Sequence, residues 1–148
     1  MDSRAGHEPG DRMKVHKLIP ILNVSSFAES VKWFETLGWK KKWDWGDPPT
    51  FGGVGSGDVE IFLCEDAQGG RGKGPNSRTF GDTGEEGGDK GVWMSLFVED
   101  ADEVHRHCVA AGLDVTWPPT DMPWGLREVH VRHPDGHVLR IGSETPEE

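Results

Sequence analysis

Two stretches of the chain share one pattern of apolar and polar positions. Leu18-Ile-Pro-Ile-Leu-Asn-Val24 is an apolar run, and Ser26-x-x-Glu29 behind it matches the capping box that opens a helix. Phe27, Val31, Phe34 and Leu37 then fall on one helical face, with Gly38 as the stop. The order returns in Val92 to Val98, in Asp100-x-x-Glu103, in the face Ala101, Val104, Cys108 and Ala111, and in Gly112. At one offset of 74 residues Val24 meets Val98, Ser26 meets Asp100, Glu29 meets Glu103, Gly38 meets Gly112 and Trp43 meets Trp117. Agreement at one offset in so many places predicts a duplicated strand-helix unit.

Shorter strand candidates follow each helix: Trp39 to Trp45, Phe51 to Val54 and Val59 to Cys64, then Asp114 to Trp117, Glu128 to Arg132 and His137 to Ile141. Each copy reads as strand-helix-strand-strand-strand, an α+β arrangement. The expected layout is a disordered tail over 1–13, a first module over 14–67, a Gly-rich inter-module loop over 68–91, a second module over 92–142 and an acidic tail over 143–148. Gly69 to Gly74 superficially suggests a phosphate loop, but no Ser or Thr follows Lys73 and no firm strand or helix flanks it.

Strand side chains alternate between faces, so each strand divides into a set under the helix and a set opposite. Val92, Met94, Leu96 and Val98 form the first set of one strand, leaving Trp93, Ser95 and Phe97 opposite. Val59, Ile61 and Leu63 oppose Glu60, Phe62 and Cys64; Val129 and Val131 oppose Glu128, His130 and Arg132; Leu139 and Ile141 oppose Val138 and Arg140. A face of rings with a few polar groups is what a ligand cleft needs, and equally suits a subunit contact. Trp39, Trp43 and Trp45 are expected to share a face, and Trp33, off the helical stripe, to meet an interface. His133-Pro-Asp-Gly136 reads as a turn, which gives His133 and His137 turn and surface roles.

Charge narrows the partners. Lys and Arg number 16 against 26 Asp and Glu, a net charge of −10, which disfavours nucleic acid and anionic membrane and leaves neutral or cationic partners. The aromatic content is seven Trp, six Phe and no Tyr, large rings without phenols that suit a core or a stacking cleft. Cys64 and Cys108 are the only cysteines and no leader or long apolar run occurs, so a cytoplasmic setting is expected.

The stretch Pro123-Trp-Gly-Leu-Arg-Glu-Val-His-Val-Arg-His-Pro-Asp-Gly-His-Val-Leu-Arg140 resembles the second-module signature of bleomycin-resistance-like members of the glyoxalase/bleomycin-resistance/dioxygenase (vicinal oxygen chelate) superfamily. Ile19 to Val24 followed by Phe27 to Gly38 is similar to that family's first module. The resemblance implies two tandem βαβββ modules whose curled mixed sheets form a concave cleft, in a homodimer. It places the superfamily's four metal positions on Ile19, Glu60, Trp93 and Arg140, of which only Glu60 can ligate. No metal, cofactor or catalytic residue is therefore expected. The expected function is metal-independent binding and sequestration of a small aromatic or cationic molecule, an antibiotic, by Glu60, Phe62, Trp93, Ser95, Phe97, Trp124, Glu128, His130 and Arg140. The alternative is a glyoxalase-like metal-dependent lyase, isomerase or dioxygenase with an altered site, using Glu60 and His130. A third reading is a partner domain with a Trp-rich contact surface.

Overall fold

Alternation puts Leu22, Val24, Ile61, Leu63, Leu139 and Ile141 on inward strand faces, and all are at most 4% exposed. The computed structural model describes residues 9–72 and 91–145. The first module comprises β1 (Ile21–Val24), α1 (Phe27–Thr36), β2 (Lys40–Gly46), β3 (Pro49–Ser56) and β4 (Val59–Glu65). The second repeats it with β5 (Trp93–Phe97), α2 (Ala101–Ala110), β6 (Asp114–Asp121), β7 (Leu126–Arg132) and β8 (Val138–Glu144). Each module is a mixed four-stranded sheet, ordered β1-β4-β3-β2 or β5-β8-β7-β6, with its first strand parallel to its last. The protein is thus α+β, with two tandem βαβββ modules. No helix among the described residues is long and apolar enough to cross a membrane.

Both predicted helix starts form. The Ser26 hydroxyl accepts from the Glu29 N–H, and Asp100 accepts from the Asp102 and Glu103 N–H groups. A further donor at each helix start is met from the module's last strand: Glu65 accepts from the Phe27 N–H at 2.8 Å, and Ser143 from the Ala101 N–H at 3.0 Å. Both helices close on a left-handed glycine, Gly38 at φ +88° and Gly112 at φ +75°. Phe27, Val31, Trp33 and Phe34 of α1 join one apolar core that continues into the second module through Ala101, Cys108, Val129 and Val131.

The structure corrects several expectations. Trp39, Trp43 and Trp45 do not share a face. A bulge between Lys41 and Trp43 breaks the alternation, so Trp39 is buried edge-on against Phe34 in the core, while Trp43 faces away with Phe51 and Phe62. Trp45 is left 69% exposed. The acidic tail begins later than residue 143, because β8 runs to Glu144 and Ser143 is buried in capping α2. Within the expected N-terminal tail, Pro9–Met13 form a short 3-10 turn. Most of the expected Gly-rich loop lies outside the described residues.

The largest correction concerns His133 and His137, which are 1% and 0% exposed. The β7–β8 turn that carries them is docked against the first module. His133 Nδ1 accepts from the Asp135 N–H, so its Nε2–H donates to Ser30 of α1 at 2.8 Å. His137 Nδ1 accepts from the Val92 N–H, and its Nε2–H donates to the Asn23 carbonyl of β1 at 2.8 Å. Asp135 adds a bond from the Ser25 N–H at 2.9 Å, and Trp33 packs edge-on against the His133 ring. Trp33 is therefore at an interface, the one between the two modules.

Candidate functional site

Register decides which side chains stand together on the sheet face away from α2. Ser95, Arg140, His130 and Trp117 are successive partners across β5, β8, β7 and β6, so they form one row. Phe97, Gly142, Glu128 and Thr120 form the next row, and Trp93, Val138, Arg132 and Asp114 the row on the other side. Five of the expected site residues meet directly here. Arg140 holds Glu128 through Nε at 2.9 Å and Nη2 at 3.0 Å, a two-point pairing. Trp124 donates its indole N–H to the same carboxylate at 2.8 Å, and the Arg140 guanidinium lies 5.6 Å from the Trp124 ring centre. His130 packs edge-on against Trp93 at 5.9 Å and donates to Glu128 at 3.4 Å, its Nε2 carrying the proton because an ionised carboxylate has none to give.

These contacts set the protonation states. Burial alone would raise the Glu128 pKa, but hydrogen bonds from Arg140, Trp124 and His130 outweigh it and hold the group below the ordinary 4.5. Burial lowers His130 below 6.5 despite the neighbouring carboxylate, and Arg140 pushes the same way, so the ring is neutral near pH 7. The result is a buried ion pair, 1% exposed at Glu128, beneath two indoles, Trp93 and Trp124, each 49% exposed. Trp117, not among the residues expected at the site, also belongs to it, its ring 6.0 Å from His130. The repeat carried the signal, because Trp117 corresponds to Trp43, which faces the equivalent cup of the first module.

In that first cup Trp43, Phe51 and Phe62 pack mutually edge-on at 4.9–5.7 Å, and Trp43 donates its indole N–H to Glu60 at 3.0 Å. Glu60 and Phe62 therefore sit in a different cluster from the other expected site residues. Gly53 makes room for it: a Cβ there would lie 2.5 Å from Trp43 Nε1 and 2.6 Å from Glu60 Oε2. Gly53→Ala should destabilise the protein by about 1–3 kcal/mol in thermal melts. Gly55→Ala is the comparison, because its nearest neighbours belong to the flexible Lys42 side chain and it should cost less. Equal losses would remove the steric account.

Ser95 and Phe97 stand at the outer strand of their sheet. Besides their places beside Arg140 and Gly142, they border a cleft of about 340 Å³ between the modules, whose walls include Leu37, Trp39, Val59 and Val104. Phe97 is 72% exposed.

Two chemistries do not fit these residues. The divalent metal of superfamily enzymes lacks ligands, because Glu60 is bonded to Trp43, Arg140 is a cation held by Glu128, and Ile19 and Trp93 offer no lone pair. Among the described residues no group of three or more His, Cys, Asp or Glu is placed to hold an ion. Ser30, His133 and Asp135 look like a nucleophile-base-acid trio, yet His133 Nδ1 already accepts from a backbone N–H. The ring therefore gives its proton to Ser30 and cannot take one from it. All three are at least nine-tenths buried, and they serve the module contact.

Residues 15–141 match the family described as the Glyoxalase/Bleomycin resistance protein/Dioxygenase superfamily. The fold is similar to that of TioX from Micromonospora sp. ML1, with a TM-score of 0.67 at 19% identity, covering 88% of this chain and 100% of that one. A bleomycin-binding protein complexed with bleomycin superposes with a TM-score of 0.62 at 16% identity, over 88% of this chain and all of that one. A bleomycin resistance determinant encoded on transposon Tn5 gives 0.63 at 16% identity, over 89% of this chain and all of the other. No curated protein matches the chain by sequence.

Proposed function

The chain belongs to the Glyoxalase/Bleomycin resistance protein/Dioxygenase superfamily, and from that premise we propose that it is a binding protein that sequesters a small aromatic molecule, of the antibiotic kind, without changing it. The observation that carries this reading is the Trp124–Glu128–Arg140 triangle. It spends the cup's carboxylate and guanidinium on each other and on holding a half-exposed indole in place, which suits stacking and supplies no nucleophile or ligand. The reading includes a homodimer, because Ile21, Trp45, Trp93 and Phe97 are 50%, 69%, 49% and 72% exposed and a second chain would cover such faces. It also includes a cytosolic setting, which suits the free thiols Cys64 and Cys108.

Metal-free and copper-loaded bleomycin, titrated into the full chain with Trp emission and calorimetry, should bind saturably at about one ligand per chain. The ligand should be recovered intact. Lack of binding removes the antibiotic assignment, and a converted ligand would make the protein an enzyme. Trp93→Ala should weaken binding by about 2 kcal/mol, roughly thirty-fold, while changing the melting temperature less. A fall in melting temperature that accounts for the whole loss would place Trp93 in the core.

A further inference from the structure

The two modules meet at two places that the repeat relates to each other. In one, the β7–β8 turn of the second module lies on α1 and β1 of the first, with His133 bonded to Ser30 and His137 to the Asn23 carbonyl. Exchanging the roles of the modules sets the β3–β4 turn of the first against α2 and β5 of the second. Ser56 and Val59 flank that turn, Val104 belongs to α2, and Leu96 and Phe97 belong to β5; all of them line the inter-module cleft of about 340 Å³. The cleft therefore occupies the place that a hairpin fills in the related contact.

Turn length accounts for the difference. β7 and β8 are joined through five residues, His133 to His137, whereas β3 and β4 are joined through two, Gly57 and Asp58. The longer turn carries rings into its contact, where His133 packs 5.0 Å from Trp33 and 5.4 Å from His137. The shorter turn brings no ring. The chemistry of the wall changes as well. At the offset of 74 residues Ser30, which receives His133, is matched by Val104, so an apolar side chain stands where the related contact has a hydroxyl. Among the described residues no ionisable side chain lines the cleft.

Walls of this kind give water few hydrogen-bond partners, so an apolar molecule gains by displacing it, whereas a charged one would lose its hydration and find no counter-charge. The volume falls at the lower end of the roughly 300–1,000 Å³ of small-ligand pockets, enough for one or two rings. We propose that this cleft is a second binding site, taking a compact, uncharged apolar ring molecule in the place that imidazoles occupy in the related contact. Leu96 and Val104 pack against the core, so the site lies on the helix side of the second sheet, away from the Trp93–Trp124 face. It does not depend on what that face binds.

The test is a titration of the full chain, labelled with nitrogen-15, with toluene, benzoate and benzylammonium, followed by backbone and indole N–H resonances. Toluene should shift the Leu96, Val98 and Val104 amides saturably, with one common Kd of about 1 mM or below, and bind at least ten-fold tighter than either ion. Val104→Phe, which puts a ring of the protein's own into the cleft, should weaken toluene at least ten-fold. Val59→Phe does the same from the rim, where Val59 is 53% exposed, and keeps the test alive if Val104→Phe fails to fold. Absence of a saturable shift, equal binding by the ions, or indifference to both substitutions overturns the inference. Toluene affinity that weakens as the protein is concentrated would show a second copy filling the cleft, and overturns it too. Shifts confined to the Trp93 and Trp124 indole N–H groups would place toluene on the other face, which defeats the second site and leaves the binding reading standing. The bleomycin titration decides that reading separately.

Discussion

Glu128→Leu should lower the stability of the protein by about 3 kcal/mol, which for a domain of this size is a melting temperature roughly 6–12 °C lower. The reason is the company the carboxylate keeps. It accepts from Arg140 Nε and Nη2, from Trp124 and from His130 while 1% exposed, so its removal breaks all of these hydrogen bonds at once. Leucine fills much of the volume, so the loss measures the polar network more than a cavity. The double variant Glu128→Leu with Arg140→Met should regain most of the stability, since a buried ion pair replaced as a unit by apolar groups is often neutral. Urea denaturation of the two variants tests this. A single-variant loss below about 1 kcal/mol would mean that the pair behaves like an exposed one.

Acidification should weaken the fold in a window set by imidazoles. Burial holds the pKa of His137 and of His130 below 6.5 in the folded protein, so the unfolded chain binds more protons than the native one as the pH drops. The stability from keeping these rings neutral is fully present above 6.5 and is lost as the pH falls from there through the folded values. For a ring that stays neutral in the fold, the first pH unit costs roughly 1 kcal/mol. His137 is surrounded by the Asn23 carbonyl, the Val92 N–H, Asp135 and the His133 ring at 5.4 Å; His130 by Glu128, Arg140, Trp93 and Trp117. Asp102 and Glu128, both lowered from ordinary values of 3.8 and 4.5, add their losses only at lower pH. His137→Gln retains a donor toward Asn23 and should flatten the decline just below pH 6.5 although it starts less stable. An unchanged slope would assign the acid sensitivity elsewhere.

The duplicated βαβββ plan, both helices with their caps and stops, and the inward set of most strands were legible because each rests on local chemistry or on period-two alternation. The Trp93, Glu128, His130 and Arg140 face was legible for the same reason. Alternation failed where a bulge interrupts it, and this separated Trp39 from Trp43. It also could not report depth. His133 and His137 occupy a sequence that reads as an exposed turn, and only the packing of that turn onto α1 and β1, over a hundred residues away in the chain, makes them core residues. The partition of Glu60 and Phe62 from the Glu128 cluster was invisible too, since membership of a face in one sheet says nothing about its distance from the other.

The docked hairpin also bears on the history of the duplication. The corresponding turn of the first module, Gly57-Asp58 between β3 and β4, carries no imidazole, while Ser30, whose hydroxyl receives the ring of His133, has Val104 at the matching position of the second. Plug and socket thus lie on opposite halves. Two first modules joined in tandem would present two sockets and no plug, and two second modules the reverse. At this contact the two copies of the repeat are unlike parts, one giving the imidazole and the other the hydroxyl.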